Sequence, residues 1–174
     1  MSGDELLTPR LRLRRWRQED REPLVAINRD PEVTEFLNRP VGEAETQRFL
    51  TKTVAHWEEH GFGHYALELR EGPEAGQLIG FAGVAYPTFL PAVAHRPELG
   101  WRLARPAWGQ GLATEAALAA RDDAFRRLGF GELISIIHPG NRRSQRVAEK
   151  LGMRIEGQVR HAGLGRDVDI WVSS

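Results

Sequence analysis

Trp108-Gly109-Gln110-Gly111-Leu112-Ala113-Thr114-Glu115 lies between a strand-like segment and a long helical one, and its reading decides the fold. Glycine has no Cβ, so Gly109 and Gly111 let the chain turn tightly and present bare N–H groups to a ligand. The helix that follows aims the positive end of its dipole at the same point. Together they make a cradle for phosphate oxygens. The pattern is not a Walker loop, because no Lys follows Gly111. It is not the dinucleotide fingerprint, because Thr114 stands where a third glycine is required. The bland alternative is a strand-to-helix turn whose glycines serve packing alone.

Upstream of the cradle, Glu98 to Leu103 reads as a strand; downstream, Leu112 to Leu128 reads as an Ala-rich helix stopped by Gly129. Small side chains let that helix sit close to a sheet. Leu133 to Ile137 is a β-branched run suited to a buried parallel strand. Asn141 caps a helix that Gly152 ends. Strands near Arg154 to Arg160 and Val168 to Val172 flank a Gly163-Leu164-Gly165 turn. Toward the N-terminus, Leu11 and Leu13 alternate with polar neighbours as an opening strand, and Glu19 to Asn28 reads as a helix stopped near Asp30-Pro31. Gly42 to His60 is a longer helix with an apolar stripe of Phe49, Leu50, Val54 and Trp57. His64 to Leu69 and Leu78 to Tyr86 are strands, and Pro87 to Pro97 is a proline-rich loop. Strand–helix–strand at the centre of a mixed series predicts an α/β (α+β) three-layer sandwich, a mixed central sheet with helices on both faces.

The chain's 174 residues suit a single domain, 1–174, large enough for a real core. Lys+Arg and Asp+Glu are 24 each, so no basic excess points to nucleic acid. Cys is absent, which excludes disulfides, thiolate catalysis and Cys-ligated zinc. No apolar run reaches membrane-spanning length, so the expectation is a soluble cytoplasmic protein, monomeric or homodimeric, with no membrane or nucleic-acid partner.

Glu98 to Glu115 resembles motif A of the GNAT N-acetyltransferases, Gln/Arg-x-x-Gly-x-Gly/Ala, which binds the pyrophosphate of acetyl-CoA. Gly111 and Ala113 match, while Trp108 stands where Gln or Arg is usual. That tryptophan, the opening Thr8-Pro9-Arg10-Leu11-Arg12-Leu13-Arg14, and Asn141-x-x-Ser144 leading into Val147-Ala148-Glu149-Lys150-Leu151-Gly152-Met153 are similar to the ribosomal-protein (Rim-type) branch. The resemblance implies the GNAT fold. It also implies transfer of an acetyl group from acetyl-CoA directly to a primary amine, either a protein N-terminus or a small molecule. Acetyl-CoA is then expected along Trp101 and Leu103, with its pyrophosphate on Trp108, Gly109, Gln110, Gly111, Leu112, Ala113 and Thr114. Asn141 and Ser144 complete the expected contacts.

Acetyl transfer needs a neutral amine, a stabilised oxyanion and a proton for the departing thiolate. Glu98 is the candidate base, on a strand face with Gly100, which leaves room, and Arg102. Its alternative is an ordinary carboxylate paired with a nearby Arg. Ser144 is the candidate proton donor, since this chain has no Tyr after Tyr86; its helical spacing with Val147, Ala148 and Leu151 predicts that it faces inward with the apolar stripe, and its alternative is a hydroxyl satisfying the first turn of its helix. Glu115 reads as a complement to the helix dipole. His56-Trp57-Glu58-Glu59-His60 fits an inverted zinc-protease motif but lacks a clear third ligand, so no metal is expected. The competing functions are a non-catalytic acyl-CoA-binding module and a zinc hydrolase using His56 and His60.

Overall fold

Leu11 and Leu13 are fully buried on one face of an extended segment, so the first hydrophobic alternation forms a strand as expected. In the computed structural model, which describes residues 3–37 and 41–173, that strand belongs to an eight-stranded sheet. The elements are β1 (Glu5–Leu7), β2 (Leu11–Arg14), α1 (Arg21–Arg29), α2 (Glu43–His60), β3 (His64–Leu69), β4 (Leu78–Ala85), β5 (Glu98–Leu103), α3 (Leu112–Arg126), β6 (Leu133–Ile137), α4 (Arg142–Lys150), β7 (Arg154–His161) and β8 (Arg166–Ser173). The spatial order is β1-β2-β3-β4-β5-β6-β8-β7. Neighbours pair antiparallel except β5 with β6, which α3 connects as the crossover that a parallel pair requires.

Side chains alternate across the sheet, and each face has its own cover. Leu99 and Leu103 join Leu13, Leu67 and Ala82 on the face beneath α3. The buried side of α3 is Ala116, Ala117, Ala120 and Ala124, small enough to bring that helix close. α4 adds Ala148 and Leu151 to the same cluster. On the opposite face Phe81 packs with Leu24 of α1 and Leu50 of α2. The architecture is the expected three-layer sandwich. A buried cluster ties its first strands to α1: Arg14 bonds Asp20 at 2.7 Å and Glu68 at 2.6 Å. A cleft of about 370 Å³ borders this cluster, where the charges already satisfy one another.

Three details depart from the sequence reading. β1 is an additional edge strand, too short to show a period, and its Leu7 is 61 % exposed. The segment from Glu19 opens as a 3-10 turn (Gln18–Asp20), so α1 starts at Arg21. Val54 is 40 % exposed rather than on the apolar stripe of α2. The buried positions there are Thr46, Leu50, Thr53 and Trp57. Thr46 can face inward because its hydroxyl bonds the Gly42 carbonyl and receives the Asn28 amide.

Candidate functional site

β5 and β6 have six and five residues but are in register at one pair, Glu98 with Ile134. Beyond it they diverge. The antiparallel ladder of β4 and β5 determines which backbone groups face the resulting gap. Ala104 N–H donates to Ile79, so the bonded positions recur at Arg102, Gly100 and Glu98. Leu99, Trp101 and Leu103 therefore turn their backbone groups away from β4. Two of their carbonyls are claimed: Leu99 accepts from the Ser135 hydroxyl at 2.6 Å and Leu103 from the Trp108 indole at 2.9 Å. Among the described residues the Trp101 N–H and C=O and the Leu103 N–H remain open along the gap.

The gap leads to the cradle. Gly109 (φ 73°) and Gly111 (φ 78°) both occupy the left-handed region, and Gly111 is the N-cap of α3. Their glycines are demanded by conformation, since a Cβ at Gly109 would meet nothing and one at Gly111 only the tip of Arg10 at 3.5 Å. Among the described residues, the N–H groups from Gly109 to Thr114 have no partner, and those of the first helical turn have none available within the helix. Trp108 staples this loop to the end of β5 and carries the Arg143 guanidinium 4.1 Å from its ring centre, which draws the start of α4 against the loop. Glu115 accepts from the Thr8 hydroxyl (2.6 Å), the Arg10 N–H (2.9 Å) and the Arg10 guanidinium (2.7 Å). Burial works against its ionised form, but these bonds prevail and hold its carboxyl below the ordinary value. It anchors the N-terminal segment to α3.

The face of β5 opposite α3 carries Glu98, Gly100 and Arg102. Glu98 lies where β5 and β6 part. Burial pushes its carboxyl up to about 7, partly offset by the N–H of Ile136. Arg102 is not its ion-pair partner; that guanidinium donates to Asn28 Oδ1 at 3.0 Å. The expected room at Gly100 is filled: a Cβ there would stand 3.3 Å from His64 Nε2. The His64 ring stacks on Phe49 at 5.8 Å, and its carbonyl accepts both the Trp16 indole (2.8 Å) and the Trp57 indole (3.0 Å). Burial first, then the charges of His56 and Arg102, lower the His64 pKa to about 3, so the ring is neutral near pH 7. Glu98, His64 and Arg102 are all desolvated yet keep partial exposure.

Asn141 is the N-cap of α4 and accepts from the Ser144 N–H at 3.1 Å. The buried side of α4 is Gln145 and Ala148, so Ser144 is half-buried at the flank rather than within the apolar stripe. Gln145 displaces it inward by bonding the Pro139 carbonyl at 2.7 Å and Arg142 at 2.9 Å. Among the described residues the Ser144 hydroxyl has no hydrogen-bond partner, and no bond joins it to Glu98. The His56 and His60 rings are 4.4 Å apart. The Tyr86 N–H donates to His56 Nε2 at 3.1 Å, so Nδ1 carries the proton and donates to the Phe62 carbonyl at 2.8 Å. His56 has no free nitrogen for zinc. No group of three metal-ligating side chains occurs among the described residues.

Sequence reasoning missed His64, Asn28 and Ser135. Only the cross-strand row His64–Gly83–Gly100 assembles the first with Glu98's strand, and no local pattern encodes that row.

Residues 10–154 match the family profile described as an acetyltransferase (GNAT) domain. YkkB of Bacillus subtilis is 31 % identical over 157 residues, covering 90 % of this chain and 88 % of its own. The crystal structure of an acetyltransferase from Agrobacterium tumefaciens superimposes with a TM-score of 0.84 at 29 % identity, over 100 % of this chain and 96 % of that one. RimL, a ribosomal L7/L12 α-N-protein acetyltransferase, shares the fold with a TM-score of 0.76 at 16 % identity, over 97 % of this chain and 92 % of its own.

Proposed function

The chain belongs to the GNAT acetyltransferase family, and we propose that it moves an acetyl group from acetyl-CoA directly to a primary amine. The observation that carries this reading is the continuity of the gap: it begins at Glu98, passes the open backbone of Trp101 and Leu103, and ends at the cradle of Gly109 to Thr114. The backbone of Trp101 and Leu103 binds the pantetheine amides. The N–H groups of Gly109, Gln110, Gly111, Leu112, Ala113 and Thr114, at the positive end of α3, bind the pyrophosphate. Asn141 borders the same path through α4, which Arg143 holds against Trp108.

The amine nitrogen attacks the thioester carbonyl, the C–S bond breaks, and the amine yields one proton to Glu98 through water. Ser144 supplies a proton to the sulfur and is reprotonated through solvent by the proton that Glu98 releases, so the products are the amide and the CoA thiol and no alkoxide remains. Magnitude bears on the acceptor. An α-amine with a pKa near ~7.8 is neutral at pH 7 for about 1 kcal/mol, whereas a lysine at ~10.4 costs about 4–5 kcal/mol. A carboxylate that titrates near 7 suits the α-amine. RimL, by its name, acts on such a group, and it has the same fold.

The experiment is calorimetry with acetyl-CoA joined to a CoA-release screen over protein N-terminal peptides, amino acids and polyamines. Binding with CoA release that depends on an added amine is the expected result. Binding without release for any amine would leave a CoA-binding module.

A further inference from the structure

Arg102 is a desolvated cation with no anion beside it among the described residues. Its hydrogen bond goes to the neutral Oδ1 of Asn28, and its guanidinium carbon sits 5.3 Å from the Phe81 ring centre. Among the described residues no carboxylate lies within salt-bridge distance. Arg14 and Arg96, by contrast, each meet two carboxylates. A guanidinium has five N–H donors, and the protein engages one here. Burial alone lowers its pKa, to about 10, and no acid raises it again.

Asn28 is built to orient that cation. It is 2 % exposed, and its amide nitrogen donates to Thr46 Oγ1 at 3.0 Å, which leaves Oδ1 for Arg102. A partly buried charge of this kind is costly without a counter-ion, and the guanidinium fork matches a carboxylate.

We propose that Arg102, oriented by Asn28, binds a carboxylate of the acceptor amine. The inference rests on the acetyl-transfer reading above. Arg102 shares a strand face with Glu98, opposite the face that holds α3, so its ligand is the molecule that meets the base rather than the phosphates in the cradle. The two residues are four apart on one strand, roughly 13 Å between Cα positions. His64 stands over Gly100 between them. The carboxylate is therefore several bonds from the reacting amine. Two sources offer that chemistry, an ω-amino acid and a peptide N-terminus with a nearby acidic side chain.

The test compares kcat/KM for matched acceptors: 6-aminohexanoate against 6-aminohexanamide, and blocked-C-terminus peptides with Asp against Asn at the second position. Wild type is expected to prefer the carboxylate member of one pair by about tenfold or more, and that pair identifies the source. Arg102→Gln should abolish the preference while acetyl-CoA affinity by calorimetry stays unchanged. Asn28→Asp provides the counter-ion from within the chain and should reduce the preference in a folded protein, which keeps the test decisive if Arg102→Gln does not fold. Equal use of both members of both pairs by wild type, or a preference that survives in the variants, overturns the inference and leaves the acetyl-transfer reading standing. Bound acetyl-CoA with no amine acetylated overturns both.

Discussion

Glu98→Gln should stabilise this protein while disabling it, and the stability gain should depend on pH. The Glu98 carboxyl is held up to about 7 by burial, against an ordinary 4.5. A carboxyl whose folded pKa is raised contributes full stability below its unfolded value and loses it as pH rises through the folded one. Each pKa unit is worth about 1.4 kcal/mol, so the ionised protein above pH 7 forgoes roughly 3 kcal/mol. Partial contact with water at Glu98 trims this to roughly 2–3 kcal/mol. Gln is neutral at every pH and still offers an oxygen to the Ile136 N–H. Urea unfolding at pH 4.5 and pH 8 is the assay, and it requires no knowledge of the acceptor. The two proteins should be nearly equal at pH 4.5, with the variant ahead by roughly 2–3 kcal/mol at pH 8. In a chain of this size that is about 4–12 °C in Tm. With a confirmed acceptor, wild-type kcat/KM should rise through pH 7, and the variant should lose that limb and up to about 10²-fold in rate. An equal stability difference at both pH values would refute the desolvated-carboxyl argument, and with it the case for Glu98 as the base.

Gly111→Asp should cost about 1–2 kcal/mol of stability through its left-handed φ, and at least ~2 kcal/mol of acetyl-CoA affinity through charge placed against the pyrophosphate, both read by denaturation and calorimetry. Ser144→Ala should lower turnover by about 10²-fold or less and leave the acetyl-CoA Kd nearly unchanged; an unaffected rate would remove Ser144 as the proton donor. His56→Leu should cost about 1–3 kcal/mol in urea unfolding by leaving the Tyr86 N–H and the Phe62 carbonyl unpaired, whereas extensive chelation should leave turnover intact. Activity lost to chelator and restored by zinc would reverse that assignment. Arg143→Ala should weaken acetyl-CoA binding by about 0.5–2 kcal/mol, because it releases Trp108 and the start of α4 from each other.

The elements around the cradle were legible because each has a local cause. Gly109 and Gly111 announce backbone that a side chain resists, Asn141 caps α4 by its own side chain, and the β-branched run at Leu133 to Ile137 permits little but a buried strand. β1 was not legible, since three residues carry no period and only pairing to β2 makes them a strand. Val54 misled for a related reason: hydropathy places valine inside, but α2 turns Thr46 and Thr53 inward, where the Thr46 hydroxyl serves Asn28.

By itself the sequence determined what a chain can carry locally: a mixed α/β order, a glycine turn with open N–H groups at the start of α3, and Glu98 on a strand leading to it. Tertiary structure decided the properties that depend on neighbours distant in the chain. The single register pair between β5 and β6 opens the gap. The cross-strand row brings His64 over Gly100. Burial, which no residue possesses alone, raises Glu98 toward 7 and lowers Arg102 toward 10. Residue type supplies a titratable group, but only the packing around it sets the cost of its charge.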